Sequence, residues 1–295
     1  MATPTVPGTV AVNDPATPRR TAPSSAVQAL RLARYQLRDY LLSRRFILMM
    51  TLVAIIGIIF TAVVGYYRPA GLLASSNDFY STLWVSGVTV VIIFAGVIFG
   101  GDAIAGEFAN KTGYFLMGQP IRRATVYAGK YMAAFAAAFV SFVAFALILL
   151  GNAAYYFGGG AVTGAFAESF FIAMAYLLAL LGTTFLFSSL FKTSTYAVLV
   201  VAVLFLFGFT VLEDLVAGLV KIEPWFILTY GSHVIGYPFL PSIPPHVAMT
   251  SVGPPGSPTI TTYSPTYAEG IGILLGYFGL TTIGGLVFFE WEEFT

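Results

Sequence analysis

Long runs without a single charged side chain dominate the chain. Six of them reach the length of a membrane crossing: Phe46–Val64, Phe79–Gly101, Tyr131–Gly151, Ser169–Phe191, Thr193–Leu212 and Gly270–Phe289. A helix needs about 20 apolar residues to cross a hydrocarbon core roughly 30 Å thick. Inside lipid the backbone must satisfy its own hydrogen bonds, which a helix does and an open sheet does not. The sequence has no series of short alternating segments of the kind that builds a β-barrel. The pattern predicts an all-α integral membrane protein with six transmembrane helices.

Ahead of the first run the pattern changes. Val27, Leu30, Leu37 and Leu41 recur at helical spacing, with Arg31, Arg34, Arg38 and Arg45 on another face. This predicts an N-terminal interfacial amphipathic helix in the headgroup region, placed to act as an elbow between a partner and the bundle. Residues Met1–Ser24 are rich in Pro, Thr, Ala and Ser and lack an apolar run, so they read as a disordered tail without a signal-peptide core. The domain organisation expected is therefore a tail at 1–24 and a six-span transmembrane domain at 25–295.

Charge position orients the spans. With a cytoplasmic N-terminus, Arg19, Arg20, Arg31, Arg34, Arg38, Arg44, Arg45, Lys111, Arg122, Arg123, Lys130 and Lys192 lie inside, and only Arg68 and Lys221 lie outside. Such a bias places both termini in the cytoplasm of a cell membrane. The connection Glu213–Glu269 then forms a large outer loop before the last span, and it holds nine of the sixteen prolines. Its first part, with Leu212, Leu215, Val216 and Leu219 on one side and then Trp225-Phe226, reads as a short amphipathic helix and a packed cap that gates the outer mouth. Its second part, Pro238 to Pro265, reads as an extended strap.

Composition narrows the function classes. The chain is 58% hydrophobic and 9% charged, with a mean hydropathy of +0.85, where a soluble domain carries about 25% charged residues. A net charge of +1 offers no basic face for nucleic acid, and the absence of cysteine removes thiolate and disulfide chemistry. The two histidines, His233 and His246, stand thirteen residues apart without an H-E-x-x-H spacing, so no metal site and no catalytic residue is assigned. Gly129-Lys130 is followed by Tyr131, so it is no phosphate loop, and the chain alone binds no nucleotide cofactor. Ion-coupled carriers place ionisable residues within the membrane; all six runs lack them, so the energy for uphill transport should come from a partner.

The longest inner connection is where that partner would dock. It runs from Gly101 through Asp102, Glu107, Lys111-Thr112, Leu116 and Pro120-Ile121-Arg122-Arg123 to Gly129-Lys130. Two polar helices separated near Pro120 are expected, with Glu107 and Lys111 paired four residues apart. This string resembles the segment between the second and third spans of type-two ABC transporter permeases. The span count, the amphipathic N-terminal helix and the large outer loop fit the same family over residues 25–295. The resemblance implies a coupling helix seated in a groove of a separate ABC ATPase subunit, with Glu107, Lys111, Thr112, Arg122 and Arg123 as docking residues. It implies ATP and Mg on the partner ATPase, and a second permease bundle, either a homodimer mate or a paralogue. It implies export, with Trp225 and Phe226 at the outer gate. The Pro-rich strap departs from compact members, so no substrate is carried over. Alternatives from other classes are a non-transporting membrane anchor of a larger complex and an ion-coupled carrier.

Overall fold

The computed structural model describes residues 24–109, 121–251 and 259–291. The tail Met1–Ser24, apart from Ser24, and the stretch holding Lys111, Thr112 and Pro120 lie outside the described residues.

Among the described residues, six helices are long and apolar enough to cross a membrane. We name the amphipathic helix α1 (Ser25–Leu41) and the first span α2 (Arg44–Tyr67). The remaining spans are α3 (Ser76–Ala109), α4 (Arg123–Phe157), α5 (Gly164–Leu190) and α6 (Ser194–Val220). A short helix α7 (Leu228–Ser232) and a 3₁₀ segment (His233–Phe239) follow, then strands β1 (Val247–Ser251) and β2 (Thr259–Tyr263). The last span is α8 (Tyr267–Trp291).

Local chemistry sets the ends of these helices. Ser43, Ser75 and Thr163 cap α2, α3 and α5, each side chain accepting a hydrogen bond from a first-turn backbone N–H. At α8 the capping is reciprocal: Thr266 Oγ1 accepts from the Glu269 N–H at 3.3 Å, and Glu269 Oε2 accepts from the Thr266 N–H at 3.2 Å. Gly158 ends α4 at φ +57°, a left-handed conformation that costs a glycine little.

The spans divide sharply by burial. Two-thirds of the apolar window of α3 and 61% of that of α5 are buried, against 22% for α2 and 17% each for α6 and α8. The core is therefore α3 and α5 with α4 beside them. It is aromatic at the end away from α1, where fully buried Trp84 packs against Phe142, Phe145, Phe166 and Phe170. The Trp84 indole N–H donates to Ser169 Oγ at 2.9 Å, and that hydroxyl donates to the Ile235 carbonyl at 2.6 Å, so no polar atom of this pair is left without a partner.

Three expectations are refined. The apolar stretch after Leu212 is no separate helix: α6 continues unbroken to Val220 and stops at Lys221, which adopts a left-handed φ of 54°. Within the cap expected over Glu213–Ile235, burial is concentrated in α7 and the 3₁₀ segment, whose Tyr230, Val234, Ile235, Tyr237 and Phe239 are buried. The strap is ordered in part as an antiparallel hairpin that pairs Val247 with Tyr263 and Ser251 with Thr259. Finally, α1 turns small residues, Ala29 and Ala33, and Tyr40 inward, while Val27, Leu30 and Leu41 stay exposed. Gly129 of α4 allows that approach, because a Cβ there would sit 3.0 Å from the Ala29 carbonyl.

Candidate coupling site

The end of α3 nearest α1 does not trail off as a loop. Gly101–Ile104 makes a turn, and Ala105–Ala109 closes a last helical turn. Every helix around it holds this segment. From α2, Arg45 contacts both carboxylate oxygens of Asp102 at 2.7 Å, and Ser194 Oγ at the start of α6 donates to Oδ2 of the same carboxylate at 3.1 Å. From α5, Ser188 Oγ accepts from the backbone N–H groups of both Ile104 and Ala105, each at 3.0 Å. From α4, Lys130 Nζ donates to Glu107 Oε1 at 2.5 Å and to the Ala103 carbonyl at 3.1 Å. Tyr40 of α1 donates to the Phe99 carbonyl at 3.2 Å. Burial pushes the Tyr40 phenol well above its usual range, and the Asp102 carboxylate nearby adds to the effect, so Tyr40 stays a donor.

The sequence motif residues now separate. Glu107 was expected on a solvated helix paired with Lys111. Its side chain is 17% exposed and pairs with Lys130, whose side chain is 6% exposed, while the expected pairing with Lys111 falls outside the described residues. Asp102 and Lys130, part of the motif but assigned no role, turn out to be the buried anchors. Arg122 is exposed just before α4, and Arg123 donates to the Glu290 carbonyl near the end of α8 at 2.8 Å. Lys111 and Thr112 lie outside the described residues. The spacing of Asp102, Glu107 and Lys130 carried the signal for the cluster, since all three fall within a few residues of a span end, where an unpaired charge would be costly.

At the opposite end, Trp225 and Phe226 are exposed and border a lateral groove of about 550 Å³ along α8, with Ile273, Tyr277 and Leu280. The Tyr277 hydroxyl donates to the Phe226 carbonyl and so fixes this segment against α8.

The network around Asp102 and Glu107 ties one short segment to four spans. No curated protein matches the chain. A family model described as ABC-2 family transporter protein matches residues 30–293, which is nearly all of it. The chain therefore belongs to the ABC-2 transporter family, and is a multi-pass transmembrane permease subunit of an ABC transporter.

Proposed function

We propose that this permease exports its substrate, driven by a separately encoded ABC ATPase that docks on the segment following α3. The observation that carries the reading is the anchoring of residues 102–107 to α2, α4, α5 and α6 by hydrogen bonds and ion pairs. A push on this segment is passed to four helices through short, directional contacts, whereas a flexible loop would absorb it. The excess of basic residues at the α1 end supports a cytoplasmic location for that end and for both termini. In this reading ATP and Mg bind the partner, Arg122 and Arg123 with Glu107, Lys111 and Thr112 form the docking string, and Trp225 and Phe226 form the outer gate. A second bundle, from another copy or a paralogue, completes the translocation path.

The division of labour within the motif decides the test. Glu107 holds the fold, so its replacement perturbs more than docking; exposed Arg122 is the cleaner probe. Arg122→Glu should leave membrane insertion and elution profile unchanged. Losing a charged interfacial contact costs about 2–5 kcal/mol, so the ATPase recovered by gentle co-purification should fall by at least about tenfold. Transport by a preparation that repeatedly contains no ATPase would overturn the proposal.

A further inference from the structure

Three side chains from separate parts of the chain meet at the end of the bundle away from α1. They are Glu223, just beyond α6; His246, just before β1; and Glu269, in the first turn of α8. Their ligand-capable atoms all lie within 4.8 Å of one another. His246 Nε2 is 3.2 Å from Glu223 Oε2, and its Nδ1 is 4.0 Å from Glu269 Oε2.

We propose that Glu223, His246 and Glu269 form a binding site for one first-row divalent cation of the Zn²⁺ class. One imidazole nitrogen and two carboxylate oxygens suit such a cation, with the remaining positions left to water. Two ligands at about 2.0–2.1 Å from a tetrahedral metal stand little more than 3 Å apart, close to the observed Nε2–Oε2 separation.

The surroundings fix each ligand from outside the cluster. His246 Nδ1 lies 2.9 Å from the Ser264 carbonyl, which can only accept, so that nitrogen carries the proton. In the neutral ring the lone pair then sits on Nε2, which faces Glu223 Oε2. Metal-ligating histidines are held in this way by an acceptor on their other nitrogen. The Tyr230 hydroxyl donates to Glu223 Oε1 at 2.7 Å and leaves Oε2 turned toward His246. The Thr266 N–H orients Glu269. Charge points the same way: two carboxylates this close repel, and a divalent cation neutralises both.

His233 makes an instructive contrast. It faces one carboxylate, Glu213, at 3.2 Å, with no third ligand beside it among the described residues. An ion at the proposed site would fasten the hairpin and the end of α6 to the head of α8.

The test is Zn²⁺ binding to the purified full chain in detergent, carrying a purification tag without histidine and freed of metal beforehand. Equilibrium dialysis with elemental analysis should show one saturable Zn²⁺ per chain, and Zn²⁺ should raise the thermal midpoint. His246→Gln should weaken binding more than about tenfold, given that losing even an outer-shell partner costs 10–100-fold. His233→Gln should leave it unchanged. Glu269→Gln is the second variant: glutamine serves equally in a capping box, so the helix start is kept while a ligand is lost. No saturable binding overturns the proposal, and so does affinity unchanged in both His246→Gln and Glu269→Gln. Neither result bears on ATPase docking at the other end of the bundle.

Discussion

Lys130 and Glu107 offer the sharpest test of how the proposed coupling segment is held. At ~4 Å and an effective dielectric near 20, two unit charges attract by about 4 kcal/mol. Taking each ion out of water costs several kcal/mol, so the pair is close to neutral overall against an apolar replacement. Removing one partner is another matter. Loss of Glu107 leaves the Lys130 ammonium, its side chain 6% exposed, facing the Ala103 carbonyl instead of a carboxylate. Loss of Lys130 takes the donor from that carbonyl and an ion-pair partner from Glu107 together. Lys130→Met and Glu107→Gln should each destabilise by about 3–5 kcal/mol. The double variant should recover most of that loss and stay about 1 kcal/mol below the parent, because the Ala103 carbonyl still lacks its donor. Equilibrium unfolding in mixed micelles titrated with a denaturing detergent, followed by tryptophan fluorescence, measures all four corners of the cycle. Single variants within about 0.5 kcal/mol of the parent would refute the reasoning, as would a double variant as unstable as the two losses added.

Two further predictions follow the same geometry. Ser188→Ala leaves the Ile104 and Ala105 N–H groups without their shared acceptor; the expected loss is about 1–3 kcal/mol, read in the same unfolding assay, and unchanged stability would mean water replaces the hydroxyl. Orientation can be tested with single cysteines in this cysteine-free chain. An impermeant maleimide should label Ser75→Cys and Ser242→Cys in intact cells, and Leu42→Cys and Lys192→Cys only after permeabilisation; the reverse pattern would invert the topology.

The six spans were legible because lipid imposes a length and an absence of charge that residue order displays directly. Their ends were less so. Glu213 and Asp214 close the charge-free run of α6, yet the helix runs on to Val220. It can do so because Glu213 accepts from Thr229 Oγ1 at 2.8 Å and faces His233, and both partners come from the cap that follows. The π-helical turns at Tyr80–Trp84 and Gly96–Gly100 of α3, and at Leu204–Gly208 of α6, shift the buried face partway along each helix, which a fixed 3.6-residue period cannot follow. At the coupling site the residue types were readable and the pairing was not. Glu107 and Lys130 are 23 residues apart, and only the packing of α3 against α4 brings them together. The Glu223, His246 and Glu269 cluster gave no local signal at all, because each ligand sits in a different element.

The unequal burial of the spans also says where this chain can vary. Lipid tails barely distinguish one aliphatic side chain from another, so positions of α2, α6 and α8 that face the bilayer are constrained only to remain apolar. Within α3 and α5 a side chain must also match the shape of its neighbours: a Cβ on Gly96 would come within 1.9 Å of Leu180, and one on Gly100 within 2.0 Å of Thr184. The inner spans therefore carry specific residue identities, the bilayer-facing positions of the outer ones little more than hydropathy, and substitutions accumulating in this lineage should be concentrated at those positions.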